Sequence, residues 1–251
     1  MDNRSPLGPS VSIDAVRVDE GRLEPQTVSV AVEVPCTIRA NDVELVTLSC
    51  SPADLRELAV GFLHSTGLIR SAADVRDLHV DEKRYEVTAT LTRTPAPGET
   101  SAPGPIASDL TVCADRIAAL AGWLQHCSAL YRETGAVHTA AISEAGAAPD
   151  RGYDDIGRHN AVDKAIGGWL LAQRDFGRGV LVSSGRTSTE ILHKAHMAGI
   201  ALTVARGAPT HQAVLTAREM NLTVVGFARG GGFTVYAGES RVTLDRSPQP
   251  E

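Results

Sequence analysis

A three-layer α/β fold, preceded by a small β-rich α+β unit, is predicted for this chain by three observations. After Gly135, short apolar strand segments alternate with amphipathic helical ones, the pattern of a sheet covered by helices on both faces. The first third instead shows strand-like alternation around a single good helix. Between the two, Thr94 to Ser108 carries four prolines and two glycines, the composition of a flexible linker. The expected division is a flexible tail over 1–25, a small β-rich domain over 26–92, a linker over 93–109 and an α/β domain over 110–245.

Each element has its own signal. Residues 1–25 are rich in Pro, Gly and Ser and weakly patterned, hence the tail. Val28 to Arg39 reads as extended, and Asn41-Asp42 turns it into Val43–Leu48 as a hairpin. Ser51-Pro52-Ala53-Asp54 reads as a helix start, with Ser51 as cap, Pro52 at the first helical position and Asp54 closing a capping box. Leu55, Leu58, Ala59, Phe62 and Leu63 make its buried stripe, and Gly67 ends it. Ser71 to Asp74 repeats the start signal, and Val80 and Tyr85–Leu91 predict two more strands. Beyond the linker Ile117, Leu120, Ala121, Leu124 and Tyr131 share one helical face. Strands are predicted at Val137–Ile142, Gly179–Ser183, Ala201–Ala205 and Thr223–Phe227, with helices over 161–173, 188–198 and 210–220. Phe233–Ala237 and Arg241–Leu244 read as closing strands.

Composition narrows the function. With 251 residues, 43% hydrophobic and 22% charged, the chain can bury a substantial core. Its apolar runs are too short to span a bilayer, and Met1-Asp2-Asn3-Arg4-Ser5-Pro6 lacks a signal-peptide core, so a cytoplasmic protein off the membrane is expected. Cys36, Cys50, Cys113 and Cys127 have neither C-x-x-C spacing nor metal-site rhythm, and structural disulfides are not expected. The net charge of −6 argues against bulk nucleic-acid binding. Residues 151–235 nevertheless hold ten Lys/Arg against six Asp/Glu, a local +4 that leaves −10 on the rest. A basic region in an acidic chain suits a discrete anionic ligand.

Four stretches carry the candidate chemistry. In Asp154-Asp155-Ile156-Gly157-Arg158-His159-Asn160-Ala161-Val162-Asp163-Lys164, Asn160 sits where an N-cap belongs, with Asp163 three residues on. Arg158 and His159 then fall just ahead of a helix N-terminus, whose free N–H groups and partial positive charge suit an anion. The bland reading is a well-capped helix with a solvated entry. Ser183-Ser184-Gly185-Arg186-Thr187-Ser188-Thr189-Glu190 ends a strand and opens a helix, with Thr187 and Glu190 fitting a capping box; α/β sheets bind ligands at such ends, and Arg186 offers a bidentate donor. Gly226-Phe227-Ala228-Arg229-Gly230-Gly231-Gly232-Phe233 follows another strand. Its glycines allow close backbone approach to a ligand, or simply a hairpin turn. Arg206-Gly207-Ala208-Pro209-Thr210 is a fourth such loop. Together they describe a pocket for a large phosphate-bearing ligand, with the arginine-tipped turns converging. His138 reads as a core or pocket-lining histidine. It lacks the H-x-E…P-C-x-x-C context of zinc deaminases, so no metal site is expected.

These stretches resemble the formate dehydrogenase accessory sulfurtransferase family (FdhD). Asp155 to Lys164 is similar to its E-D-I-G-R-H-N-A-V-D-K signature. Thr134–Ala140, Ser184–Glu190, Ala208-Pro209-Thr210 and Gly226–Gly230 match further family segments, as do Pro52–Leu55 and Leu58–Leu63. The resemblance implies a cytidine-deaminase-like α/β domain and a homodimer. It also implies a role in molybdenum cofactor maturation, in which a cysteine persulfide loaded by a cysteine desulfurase passes sulfur to bis-molybdopterin guanine dinucleotide (Mo-bisMGD), destined for formate dehydrogenase. GDP would mimic that cofactor. Phe227, Ala228, Arg229, Gly230, Gly231 and Gly232 match the family's cofactor-binding loop, and we add Arg158, His159 and Arg186 as inferred anion or pterin contacts. The family's C-G-x-C-G loop has no counterpart, since Thr94 to Ser108 contains no cysteine. Cys113, beside that linker in the first turn of a predicted helix, is the nearest substitute sulfur carrier. The alternative is a binding protein that holds the cofactor, or a related nucleotide, without carrying sulfur.

Overall fold

The structure, a computed structural model, describes residues 6–93 and 103–244. It overturns the expected tail. β1 (Ser10–Asp19) and β2 (Arg22–Ala31) form a long antiparallel hairpin, in register from Ser10↔Ala31 to Asp19↔Arg22. Its two-residue turn places Glu20 and Gly21 at φ 47° and 78°, the left-handed pair that matches the twist of a ribbon. Val11, Ile13, Val28 and Val30 lie on one face near its base. Val16, Val18, Leu23 and Pro25 lie on the other face near its tip, with Leu23 73% exposed.

The first sheet comprises β3 (Val34–Ala40), β4 (Val43–Cys50), β5 (Val75–Asp81) and β6 (Glu86–Leu91), ordered β4-β3-β6-β5. Asn41 and Asp42, both at positive φ, make the expected β3–β4 turn. A short 3-10 turn at Ala72–Asp74 carries the capping box foreseen at Ser71. Alternate residues Val34, Cys36 and Ile38 pack under α1 (Leu55–Ser65) through Leu55, Leu58 and Ala59. The helix begins later than the Ser-Pro signal indicates. Its N-cap is Asp54 in left-handed geometry, without a side-chain cap. Ser51 is drawn away because its hydroxyl bonds Asp154 O and Asp155 Oδ2 across the molecule.

The second part runs β7 (Val112–Cys113), α2 (Ala114–His126), α3 (Ala129–Thr134), β8 (His138–Glu144), β9 (Tyr153–Asp155) and α4 (Arg158–Leu171). It continues through β10 (Gly179–Ser183), α5 (Thr189–Met197), β11 (Leu202–Ala205), α6 (His211–Glu219), β12 (Thr223–Arg229), β13 (Gly232–Ala237) and β14 (Val242–Thr243). Six strands make a mixed sheet ordered β13-β12-β11-β10-β8-β9, with β10, β11 and β12 parallel. Strand alternation splits the core. Val180, Val182, Leu202, Val204 and Val225 meet α2 on one face, while Leu181 meets α4 and α5 on the other, where Val224 meets α5 and α6. β9 was not foreseen; its three residues, half-buried or buried, are too few to show a period.

Three local expectations are corrected. The predicted stripe from Ile117 to Tyr131 is two helices, broken where Ser128 caps α3 by accepting from Tyr131 N–H at 2.8 Å, so Tyr131 leaves the core. α4 starts at Arg158 with Gly157 as N-cap, not Asn160. α5 is preceded by Ser188 at the cap position rather than Thr187, which is buried. Of the predicted linker, Thr94–Ala102 lies outside the described residues. The part after it is pinned, since Ile106 N–H donates to Met220 O and Asn221 Nδ2 donates to Ile106 O.

What joins the two sheets is α1 against α4. Their backbones nearly touch: a Cβ on Gly61 would lie 1.8 Å from Asp163 O, and one on Gly167 2.0 Å from Glu57 O. Two buried ion pairs flank this crossing. Lys164 Nζ lies 2.7 Å from Asp155 Oδ2, with both side chains fully excluded from solvent. Lys194 Nζ lies 2.7 Å from Asp163 Oδ2, which also accepts from Ser65 Oγ through its other oxygen. No helix among the described residues is long and apolar enough to cross a membrane.

Candidate functional site

A cleft of about 520 Å³ opens at one edge of the six-stranded sheet, within the usual range for small-ligand sites. Its floor is the row of strand ends. Arg229 closes β12, Arg206 and Gly207 follow β11, Ser184 follows β10, His138 and Thr139 open the antiparallel β8, and Ile156 follows β9. Its roof is the α2–α3 corner, with Leu124, Gln125, Ser128 and Tyr131, running on through Gly135–Val137.

The loops converge because three glycines let them nest. An added Cβ on Gly185 would meet Arg158 Cβ at 3.0 Å; one on Gly207 would meet Gly185 O at 2.8 Å; one on Gly226 would meet Gly207 O at 3.1 Å. Backbone bonds run along the same line, from Gly207 N–H to Gly185 O and from Phe227 N–H to Gly207 O. The arginine stem of residue 158 therefore lies on Gly185, and Arg186 lies beside Gly207.

His138 stands between the cationic loops and the roof. Its Nδ1 is 3.2 Å from Ser184 Oγ, which accepts from Thr139 N–H at 3.0 Å. Ser184 Oγ can donate to His138 Nδ1 or accept from it, according to the imidazole tautomer. Burial, then the neighbouring Arg158, hold His138 below its ordinary pKa, with Asp155 opposing. Below the roof, Asp154 accepts from Thr139 Oγ1 at 2.6 Å and from Ser128 Oγ at 2.7 Å, tying the α3 cap to β8.

The residues singled out from sequence occupy different places. Arg229 and Arg206 line the cleft. Arg158 borders it, half-buried over Gly185, while Arg186 is exposed beside Gly207 and outside the lining. His159 turns to α5, with Nδ1 3.3 Å from Glu190 Oε1 but out of hydrogen-bonding alignment; burial foremost lowers its pKa. Phe227, at positive φ and 43% exposed, lies under the Arg229 guanidinium at 5.5 Å. Ala228 points into the core instead, and Gly230 and Gly231, at φ 59° and 81°, are the turn of the β12–β13 hairpin, with Gly232 opening β13. The glycine run therefore has a turn to make.

Cys113 lies outside the cleft lining. It is the N-cap of α2 and 4% exposed. Leu124 of the cleft is eleven residues further along α2, roughly 16 Å away at a helical rise. Cys36 and Cys50 are fully buried under α1, where the hydrogen bond between them pulls the Cys36 thiol down and pushes the Cys50 thiol up. Cys127 is half-buried near the cleft roof, where burial and then Asp154 push its thiol up to about 11. None of these four thiols stands exposed to solvent.

Much of the 154–164 stretch has a structural assignment. Asp155 accepts from Ser51 N–H, Ser51 Oγ, Gly157 N–H and Asn160 Nδ2 in addition to pairing with Lys164. Asn160 Nδ2 also donates to Ser49 O. Lys164 reaches Ser51 Oγ and Asp154 O. The roof residues Gln125, Ser128 and Tyr131 were missed; the signal was Ser128, an N-cap residue inside an apparently continuous stripe. Among the described residues no cluster of three or more His, Cys, Asp or Glu could hold a metal ion.

Fold and site define an α/β protein built on a four-stranded and a six-stranded sheet, whose cleft, at the carboxyl edge of the parallel strands, sets arginines opposite a roof that carries Tyr131. More narrowly, the chain belongs to the FdhD/NarQ family, whose model matches residues 31–243. It is 33% identical to the sulfur carrier protein FdhD of Staphylococcus haemolyticus, over 90% of this chain and 94% of that one. It is 34% identical to the FdhD of Geobacillus kaustophilus, over 89% and 94%. A crystal structure of a candidate formate dehydrogenase accessory protein from Desulfotalea psychrophila superposes with a TM-score of 0.83 at 25% identity, covering 94% of this chain and all of that one.

Proposed function

We propose that this chain serves in maturing the molybdenum cofactor of formate dehydrogenase or a related molybdoenzyme, as a sulfur carrier protein by kinship. It would hold a guanylated arm of Mo-bisMGD in the cleft while sulfur drawn from a cysteine desulfurase reaches the cofactor. The observation that carries this reading is the convergence of the strand-end loops on one cleft, with Arg206 and Arg229 in its lining and Arg158 at its border. Guanidinium groups there suit phosphate oxygens, and the glycine-nested backbone allows close approach. A cleft of this volume has room for one nucleotide arm rather than two. That favours a homodimer supplying two clefts, with the apolar tip of the β1–β2 hairpin as its contact.

One observation favours a second reading. A persulfide carrier needs an accessible thiolate, and the four cysteines are buried or, at Cys127, held protonated. On this reading the chain holds the cofactor and another protein carries the sulfur. Calorimetric titration with GDP tests cofactor holding. Binding should be measurable in the wild type and weaken at least tenfold in Arg229→Ala, in line with a charged hydrogen bond. No heat at millimolar GDP would remove both readings. Mass spectrometry after incubation with desulfurase and cysteine separates them, since a gain of one sulfur on any cysteine restores the first.

A further inference from the structure

We propose that the α2–α3 corner reads a planar heteroaromatic ring, with Tyr131 as its stacking face, while the phosphates of the same ligand lie at Arg206 and Arg229. This deepens the cofactor-holding reading and rests on it. Three independent features support it. First, the helix break at Ser128 turns Tyr131 out of the core: it lines the cleft and is 45% exposed. Second, the backbone that carries the ring is held in place, since Ser128 Oγ accepts from Tyr131 N–H while donating to Asp154. Third, the cleft has two chemically unlike ends. The arginines sit on β11 and β12, whereas α3 leads directly through Gly135–Val137 into β8. β8 and β12 are three strand spacings apart, with β10 and β11 between them, or roughly 14 Å. Leu124, Val137 and Ile156 give the Tyr131 end its apolar wall, and the half-buried Gln125 offers both a donor and an acceptor to a ring edge. A ring at one end and phosphates at the other fit a nucleotide lying lengthwise.

Base–aromatic stacking contributes about 5- to 150-fold in affinity per base, so a partly open site should fall near the lower end, about tenfold. The experiment titrates GDP and inorganic pyrophosphate separately into wild type, Tyr131→Ala, Tyr131→Phe and Arg229→Ala. Wild type should prefer GDP; Tyr131→Ala should lose about tenfold for GDP and nothing for pyrophosphate. Tyr131→Phe should keep the GDP affinity, and Arg229→Ala should weaken both ligands. Because Tyr131 stands in solvent, an unchanged thermal midpoint is expected for its variants. Equal GDP and pyrophosphate affinities in wild type, or equal losses of both in Tyr131→Ala, would overturn the ring-reading assignment while leaving the cleft's anion site standing. If neither ligand binds the wild type, the cofactor-holding reading falls and this assignment with it.

Discussion

Lys164 and Asp155 form the fully buried ion pair that holds β9 and α4 to the end of β4, and their removal gives the most quantitative test of how the fold holds the cleft. Breaking a buried pair by neutralising one partner typically costs about 3–5 kcal/mol, because the survivor stays uncompensated. The two partners are not equivalent. Without Lys164, the Asp155 carboxylate keeps four donors: Ser51 N–H, Ser51 Oγ, Gly157 N–H and Asn160 Nδ2. Without the Asp155 charge, Lys164 keeps only neutral oxygens from Ser51 and Asp154. Lys164→Met should therefore cost about 3 kcal/mol and Asp155→Asn about 5. For a chain of this size those losses lower the thermal midpoint by roughly 6–20 °C. The double variant removes both charges and leaves an amide oxygen to accept, so it should cost at least ~2 kcal/mol less than the sum of the single changes. Thermal and urea unfolding followed by circular dichroism reads all four proteins. GDP affinity should persist in Lys164→Met at temperatures where it stays folded. Coupling within ~0.5 kcal/mol of zero would refute the pairing, and a Lys164→Met protein of native stability with lost GDP binding would make that lysine a ligand contact.

Two other outcomes follow from the same geometry. His64, buried at the end of α1 and stacked on Phe176 with ring centroids 5.7 Å apart, has its pKa lowered by burial to about 4. Unfolding restores its ordinary value near 6.5, so the unfolded chain binds the extra proton between those values and stability falls as pH drops through that window. The loss from this group should reach about 2 kcal/mol at pH 5. His64→Phe should remove that share of the slope, measured by denaturation at pH 7.5 and 5; an unchanged slope would show that His64 does not titrate there. In the hairpin, Val16→Ser, Val18→Ser and Leu23→Ser together should convert the proposed homodimer to a monomer in analytical ultracentrifugation with folding intact; a wild-type monomer would remove that proposal, and a dimer persisting in the variant would move the contact elsewhere.

How much was legible in the sequence depended on whether a residue's partners were near it in the chain. β10 was placed residue for residue at Gly179–Ser183 because a wholly buried strand between a turn and a cap has its signal inside itself. The Asn41-Asp42 turn and the Ser71 capping box were equally local. The β1–β2 hairpin was local too, but its apolar residues sit on opposite faces at base and tip, so neither face alternates along its length. At Tyr131 the seven-residue spacing from Leu124 imitated a continuous stripe, and only the Ser128 cap marked the break.

The stretch from Asp154 to Lys164 failed differently, and its failure bears on function. Its charges invited assignment to a ligand because no partner for them is visible nearby in sequence. The partners of Asp155, Asn160 and Lys164 include Ser49 and Ser51, more than a hundred residues earlier, and Asp163 pairs with Ser65 and Lys194. Asp155, Asn160 and Lys164 thus clamp β9 and α4 to the end of β4, and Asp163 ties α4 to α1 and α5. Arg158, over Gly185, is the charged side chain of the motif that stands at the cleft border, beside the cleft-lining Ile156. The clamp and the cleft share one helix, so the position of Arg158 is set by bonds made at the opposite side of α4. Variants in the clamp should accordingly alter ligand affinity only through folding, whereas Arg229 and Tyr131, which take no part in the clamp, should alter affinity at constant stability.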